Sequence, residues 1–331
     1  MARKIEVTTR MGCKVNCRYC PQKLALEKYF AADKKRESVL SFEKFREYLD
    51  KIPRDVQIIF SGMCEPWLNA ECTDMVEYAA RDGREVDIYT TLVGMNHEDY
   101  RRIRNLKLHY FVLHVADKDN NATIPVTEEY KSLLKEIVEG HKSGRLPITS
   151  ISVHGQMHPE ICDIMKEAEG VPVLSEIYDR AGNLESDEGV TISQKGEKKG
   201  SLCCTKCNGF SLDDNYLLPD GTMLVCPMDW GLEYELGTLE TESYEEISEG
   251  KVKQEFRKRM RSSKYGPVLC RHCHVSQPEL AYRASCFFYG LKQTARKLLK
   301  GDKTEMKQAA EGAAQNRAEE VPQYAEGVLQ N

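Results

Sequence analysis

The sequence predicts an α/β fold: a partial (β/α)6 barrel followed by a small cysteine-rich α+β module at the C-terminus. Two observations carry this. From residue 4 to about 178, short β-branched runs alternate with amphipathic helical patterns, the rhythm of a parallel sheet. After a polar, glycine-rich stretch that rhythm stops and cysteines crowd in. Six units are fewer than the eight of a closed barrel, so the sheet is expected to be open.

The strand candidates are Ile5–Thr9, Val56–Ser61, Val86–Thr91, Tyr110–Val115, Ile148–His154 and Val171–Ile177. Between them lie the helical patterns Phe42–Leu49, Cys72–Ala80, His97–Ile103, Glu128–Val138 and Pro159–Ala168. Ser41 and Thr127 stand where N-caps belong. The barrel is expected over 1–182, with 183–200 as linker (GNLESDEGVTISQKGEKKG spans it) and 201–286 as the cysteine-framed module. A helix is expected from Ser285 to Lys300. Residues 301–331, rich in Ala, Glu and Gln, read as a disordered tail or a frayed helix.

Composition excludes several classes. The 331 residues carry 52 acidic and 47 basic side chains, a net charge of −5, which makes no global case for nucleic acid or an anionic membrane. No apolar run approaches the roughly 20 residues that span a bilayer. The opening MARKIEVTTR lacks a signal-peptide core, so a cytoplasmic protein is expected, at most peripheral to a membrane. In a reducing compartment thirteen cysteines point to metal ligation or catalysis rather than disulfides.

Three of them, Cys13, Cys17 and Cys20, form Cys-x3-Cys-x2-Cys directly after the first strand. Three thiolates in one loop can hold three irons of a [4Fe–4S] cluster and leave the fourth open to a cofactor or substrate. The alternatives are a structural zinc or accidental spacing. Phe60-Ser61-Gly62-Met63-Cys64-Glu65-Pro66 ends the second strand. Thr90 and Thr91 end the third, His114 and Asp117 follow the fourth, His154 ends the fifth, and Arg180 and Asn183 follow the sixth. All stand where a barrel gathers its active site. A second group comprises Cys203, Cys204, Cys207, Cys226, Cys270 and Cys273, the last two in a Cys-x2-Cys knuckle.

The first triad, with Tyr19 before its third cysteine, resembles the signature of the radical S-adenosylmethionine superfamily. The run from Asn215 to Leu239 resembles the SPASM module or its shortened twitch form. The resemblance implies an iron–sulfur enzyme that cleaves S-adenosylmethionine at a [4Fe–4S] cluster on Cys13, Cys17 and Cys20. It implies that Tyr19 approaches the adenine, Gly62 admits close backbone approach and Glu65 accepts from the cofactor ammonium. Thr90, Thr91 and Arg180 complete the implied cofactor-binding set. Cys64 departs from the pattern, which usually has glycine there.

Full modules hold a further cluster; this chain has the cysteines for one auxiliary [4Fe–4S], on Cys207, Cys226, Cys270 and Cys273. Cys203 or Cys204 can replace Cys207, and four cysteines could instead hold a structural zinc. The expected substrate is a small molecule of carbohydrate type (a sugar, nucleotide sugar or cyclitol), oxidised or epimerised at a carbinol carbon. The reductant is an external donor such as flavodoxin or ferredoxin. His114, Asp117 and His154 are the candidate bases, and Cys64, Cys162, Cys203 and Cys204 the candidate hydrogen-atom donors. Peptide or protein side-chain modification is the alternative enzyme, and a non-catalytic iron–sulfur or zinc scaffold the alternative of another class. The basic run Lys251–Arg261 could meet a pyrophosphate, and is more simply the wet face of a helix. Phe287-Phe288-Tyr289 with the basic residues after it could touch a lipid surface, though packing of that helix is the simpler expectation.

Overall fold

The computed structural model describes residues 3–33, 36–168, 170–171, 173–174, 177–184, 192–193, 196–206 and 209–288. Six parallel strands form the barrel wall: β1 Lys4–Val7, β2 Gln57–Phe60, β3 Val86–Thr90, β4 Tyr110–His114, β5 Ser150–Ser152 and β6 Val173–Leu174. The helices are α1 Gln22–Ala32, α2 Phe42–Lys51, α3 Cys72–Arg81, α4 His97–Ile103, α5 Glu128–Lys142 and α6 Pro159–Met165. Their caps explain their starts. Ser41 Oγ accepts from Lys44 N, Thr127 from Tyr130 N, and Asn96 forms a reciprocal capping box with Asp99.

Strand alternation sorts the wall into two faces. Ile5, Val7, Ile58, Phe60, Val86 and Ile88 are buried in the core that includes Phe45, Tyr48, Met75 and Tyr100 from the helices. Phe60 meets Phe45 at 5.7 Å between ring centroids, which places that face against α2. The opposite face, fixed by the same registers, carries Glu6, Ser61, Tyr89, His114, Ser150 and Ser152 toward the lumen.

The cysteine-rich region adds β7 Leu202–Cys204, β8 Asp214–Leu217, β9 Thr222–Leu224, β10 Glu235–Thr238 and β11 Ser276–Pro278, with α7 Tyr244–Ser248 and α8 Lys251–Arg261. β8 pairs in parallel with β1, so the nine-stranded sheet runs β10-β9-β8-β1-β2-β3-β4-β5-β6. The barrel and the module therefore share one sheet and one compact unit, which ends at Glu279. Within α8 the basic run is partly structural. Lys253 is buried 3.5 Å from Asp213, and Arg257 donates to the carbonyls of Phe210 and Ser211.

The second unit begins at Leu280. Helix occupies 279–288, so it starts before the expected Ser285; the remainder of the expected helix and the tail lie outside the described residues. Among the described residues no helix is long and apolar enough to cross a membrane.

Candidate active site

The parallel strands deliver β1, β2, β3, β4 and β5 to one rim, and the site is built there. Cys13, Cys17 and Cys20 lie on the loop after β1, partly buried and free of disulfides. The Cys20 amide donates to the Cys17 carbonyl at 3.1 Å, which folds the loop into a turn. Gln22 clamps its start, accepting from the Cys13 amide and donating to the Cys13 carbonyl at 2.9 Å. Burial pushes the Cys17 thiol up to about 12 and that of Cys20 to about 11, and each feels the charge of Cys13. Thiols held protonated so strongly are deprotonated by binding metal, with release of protons.

The β2 segment packs directly on this loop. The Glu65 amide donates to Cys13 Sγ at 3.4 Å. Gly62 has φ +71°, and a Cβ there would fall 2.4 Å from Thr8 Oγ1 and 2.7 Å from Thr8 Cα, so no side chain fits. Thr9 Oγ1 donates to the Pro66 carbonyl at 2.9 Å and lies 3.6 Å from Cys64 Sγ. Burial raises the Cys64 thiol to about 12, so it stays an S–H.

Glu65 is buried among four donors. Thr90 Oγ1 (2.7 Å) and the Trp67 amide (3.3 Å) reach Oε1; the amide and hydroxyl of Thr91 (2.6 and 2.7 Å) reach Oε2. Burial raises its pKa while the Thr91, Thr90 and Trp67 donors pull it down. A carboxylate offers about four lone-pair directions, so an arriving ammonium must displace a donor, the long Trp67 bond being the weakest. The sequence placed Glu65, Thr90 and Thr91 at one rim; their mutual bonds were not legible in it. Replacing Glu65 by Gln turns one acceptor oxygen into a donor that faces other donors. We expect Glu65→Gln to weaken S-adenosylmethionine binding at least tenfold with iron content unchanged, since hydrogen bonds to charged groups are worth about 1.5–3 kcal/mol. Equilibrium binding measures it; an unchanged affinity would reduce Glu65 to a tie between strand ends.

Between Cys17 and Cys20, Tyr19 is buried, its ring edge-on to His154 at 4.1 Å. His154 lies 6.5 Å from His114 between centroids. Burial, then the charges of His154 and Arg180, push His114 down to about 4. Asp117 is differently employed: it accepts from the amides of Asp119, Asn121 and Ala122 at 3.1, 2.8 and 2.9 Å, and so shapes its loop. Cys162 sits in α6, donating to the His158 carbonyl at 3.5 Å.

In the module Cys204, Cys226, Cys270 and Cys273 are buried, and the last two feel the charge of Cys226 and Cys204. Cys207 lies outside the described residues. Cys203 faces the other way on β7, pairing with Gln277 of β11. The knuckle is braced from outside: Ser276 Oγ donates to the carbonyls of Cys270 and Cys273 (3.0 Å to the latter), and Arg271 donates to those of Lys198, Gly200 and Arg259. A cavity of about 460 Å³ opens beside it, among Asn183, Met228, Asp229, Tyr234 and His272, away from the three-thiol loop.

Two family models match the sequence: the radical SAM superfamily over residues 7–143, and an iron–sulfur cluster-binding domain, SPASM, over 203–274. The chain carries a radical SAM domain and a SPASM domain. No curated protein matches the sequence. Among solved structures, BtrN in complex with AdoMet and 2-DOIA is 16% identical with a TM-score of 0.50, covering 81% of this chain and 91% of that one. SuiB of Streptococcus suis bound to the precursor peptide SuiA is 11% identical (TM-score 0.46; 78% and 67% covered). Native anSMEcpe with bound AdoMet is 13% identical (0.46; 82% and 86%). At these identities the likeness is one of fold.

This radical SAM protein uses S-adenosylmethionine and a [4Fe–4S] cluster, with auxiliary iron–sulfur ligation in its SPASM domain. The residues fit. A [4Fe–4S] cluster asks for one thiolate to each liganded iron, and among the described residues both cysteine groups supply undisulfided thiols at loop and strand ends.

Proposed function

We propose that the protein oxidises a carbinol carbon of a sugar, nucleotide sugar or cyclitol, with Cys13, Cys17 and Cys20 holding the catalytic cluster. The polar lumen carries this reading. Glu6 accepts from Ser61 Oγ at 2.6 Å on a face shared with Tyr89, His114, Ser150 and Ser152, a lining of donors and acceptors suited to a hydroxyl-rich ligand. Ile59 and Val112 share that face and set apolar ground beside the polar groups.

When bound, the cofactor and clusters supply hydrogen-atom abstraction and a sink for one electron. The chain's own task is the remaining proton. His114 is neutral near pH 7 and faces the lumen, so it accepts from the carbinol hydroxyl; relief of the Arg180 charge beside it would make it a stronger base. Cys226, Cys270, Cys273 and one of Cys204 and Cys207 hold the auxiliary cluster in this reading, with Cys204 the described member of that pair.

Epimerisation is the second reading, favoured by the protonated Cys64 thiol beside Glu65, a hydrogen-atom donor. Product analysis in D2O separates the two. A carbonyl product without solvent deuterium at the reacting carbon is expected. A redox-neutral product carrying deuterium at that carbon would overturn oxidation.

A further inference from the structure

The turn after β6 holds an arginine in an uncommon state. Arg180, Ala181 and Gly182 take φ values of +50°, +60° and +87° in succession. Left-handed backbone is free for glycine but costs each of the other two, and such strain gathers at functional sites. It is held deliberately. The Gly182 and Leu184 amides donate to the Asp179 carbonyl at 3.1 and 3.0 Å, and Asn183 Nδ2 bridges the carbonyls of Arg180 (2.7 Å) and Met228 (3.3 Å). The turn is thus fastened to the segment just beyond Cys226.

Among the described residues the Arg180 guanidinium makes no hydrogen bond or ion pair, and its Nε is buried without an acceptor. Asp179, the adjoining carboxylate, is buried with Oδ1 equally unpartnered, and forms no ion pair with it. The positive charge is felt at Cys20 of the three-thiol loop and at His114, Tyr216, Tyr19 and His274. The Arg180 side chain is partly exposed, and a guanidinium whose Nε is buried without an acceptor keeps a donor for an arriving anion. A planar guanidinium suits carboxylate and phosphate oxygens in particular.

We propose that Arg180 is the oxyanion receptor of the barrel mouth, binding a phosphate or carboxylate group of the substrate while its carbinol end reaches the lumen. This deepens the reading of the lumen as the substrate site, narrows the substrate to an anionic one, and takes Arg180 out of the cofactor-binding set that the resemblance implied. The same oxyanion chemistry exists on the methionine carboxylate of the cofactor, so the test must separate the two sources.

Inorganic phosphate is titrated calorimetrically into the cluster-loaded protein with S-adenosylmethionine bound, for wild type, Arg180→Gln and Arg180→Lys; cofactor affinity and iron content are measured in parallel. Saturable phosphate binding is expected, at least tenfold weaker in Arg180→Gln and partly restored in Arg180→Lys, with cofactor affinity within twofold and iron content unchanged. Absent phosphate binding in wild type, or equal binding in Arg180→Gln, would overturn the proposal. So would a tenfold loss of cofactor affinity with phosphate binding intact, which would assign Arg180 to the cofactor carboxylate. None of these readouts depends on whether the reaction is an oxidation, which product analysis decides separately.

Discussion

The Cys13→Ala, Cys17→Ala, Cys20→Ala variant will fold, retain its auxiliary iron and release no 5′-deoxyadenosine from S-adenosylmethionine. The three side chains are partly buried on a loop whose shape is held by Gln22 and by the packing of Tyr19, so their loss leaves the sheet intact. With one of two four-iron clusters gone, iron should fall from about eight to about four per chain. Cys72→Ala is the control: that thiol is fully buried in the core on α3 and belongs to neither group. Cofactor cleavage by the triple variant, measured by chromatography, would remove the central assignment.

Cys226→Ala should do the opposite. Auxiliary iron is lost and product disappears, yet uncoupled cofactor cleavage continues, because the three-thiol loop is untouched. The position is demanding: Cys226 is buried, its sulfur accepts from the Met228 amide at 3.4 Å, and Cys270 and Cys273 feel its charge. Full product yield from a protein that has lost its auxiliary iron would show that the electron leaves by another route.

Much of this was legible in the sequence because it is local. β3 and β4 are found within a residue of their expected ends, and α4 spans the expected His97–Ile103. The misses have physical causes. Helix α1 went unread because it follows the cysteine loop without a side-chain cap and its apolar residues surround it, Ala25 and Tyr29 fully buried with Leu24, Leu26 and Phe30 alongside. Three of the four donors around Glu65 come from the end of β3, two of them from Thr91, 26 residues away. No periodicity reports such a meeting. Which of Cys203 and Cys204 turns toward Cys270 and Cys273 depended on the face of β7, which its pairing with β11 sets.

The parallel pairing of β8 with β1 makes the domain boundary a line in the sequence and not a seam in the solid. Register runs Lys4 to Asp214 and Val7 to Leu217, and Arg36 adds rivets across the join, to Asp220 at 2.5 Å, Thr222 at 2.8 Å and Glu235 at 3.0 Å. A chain cut near residue 200 would leave β1, the strand that leads into the three-cysteine loop, as a naked sheet edge open to aggregation. The two cofactor-bearing regions are therefore inherited as a single casting, and grafting a foreign module onto this barrel would have to reproduce a strand before it could offer an electron path.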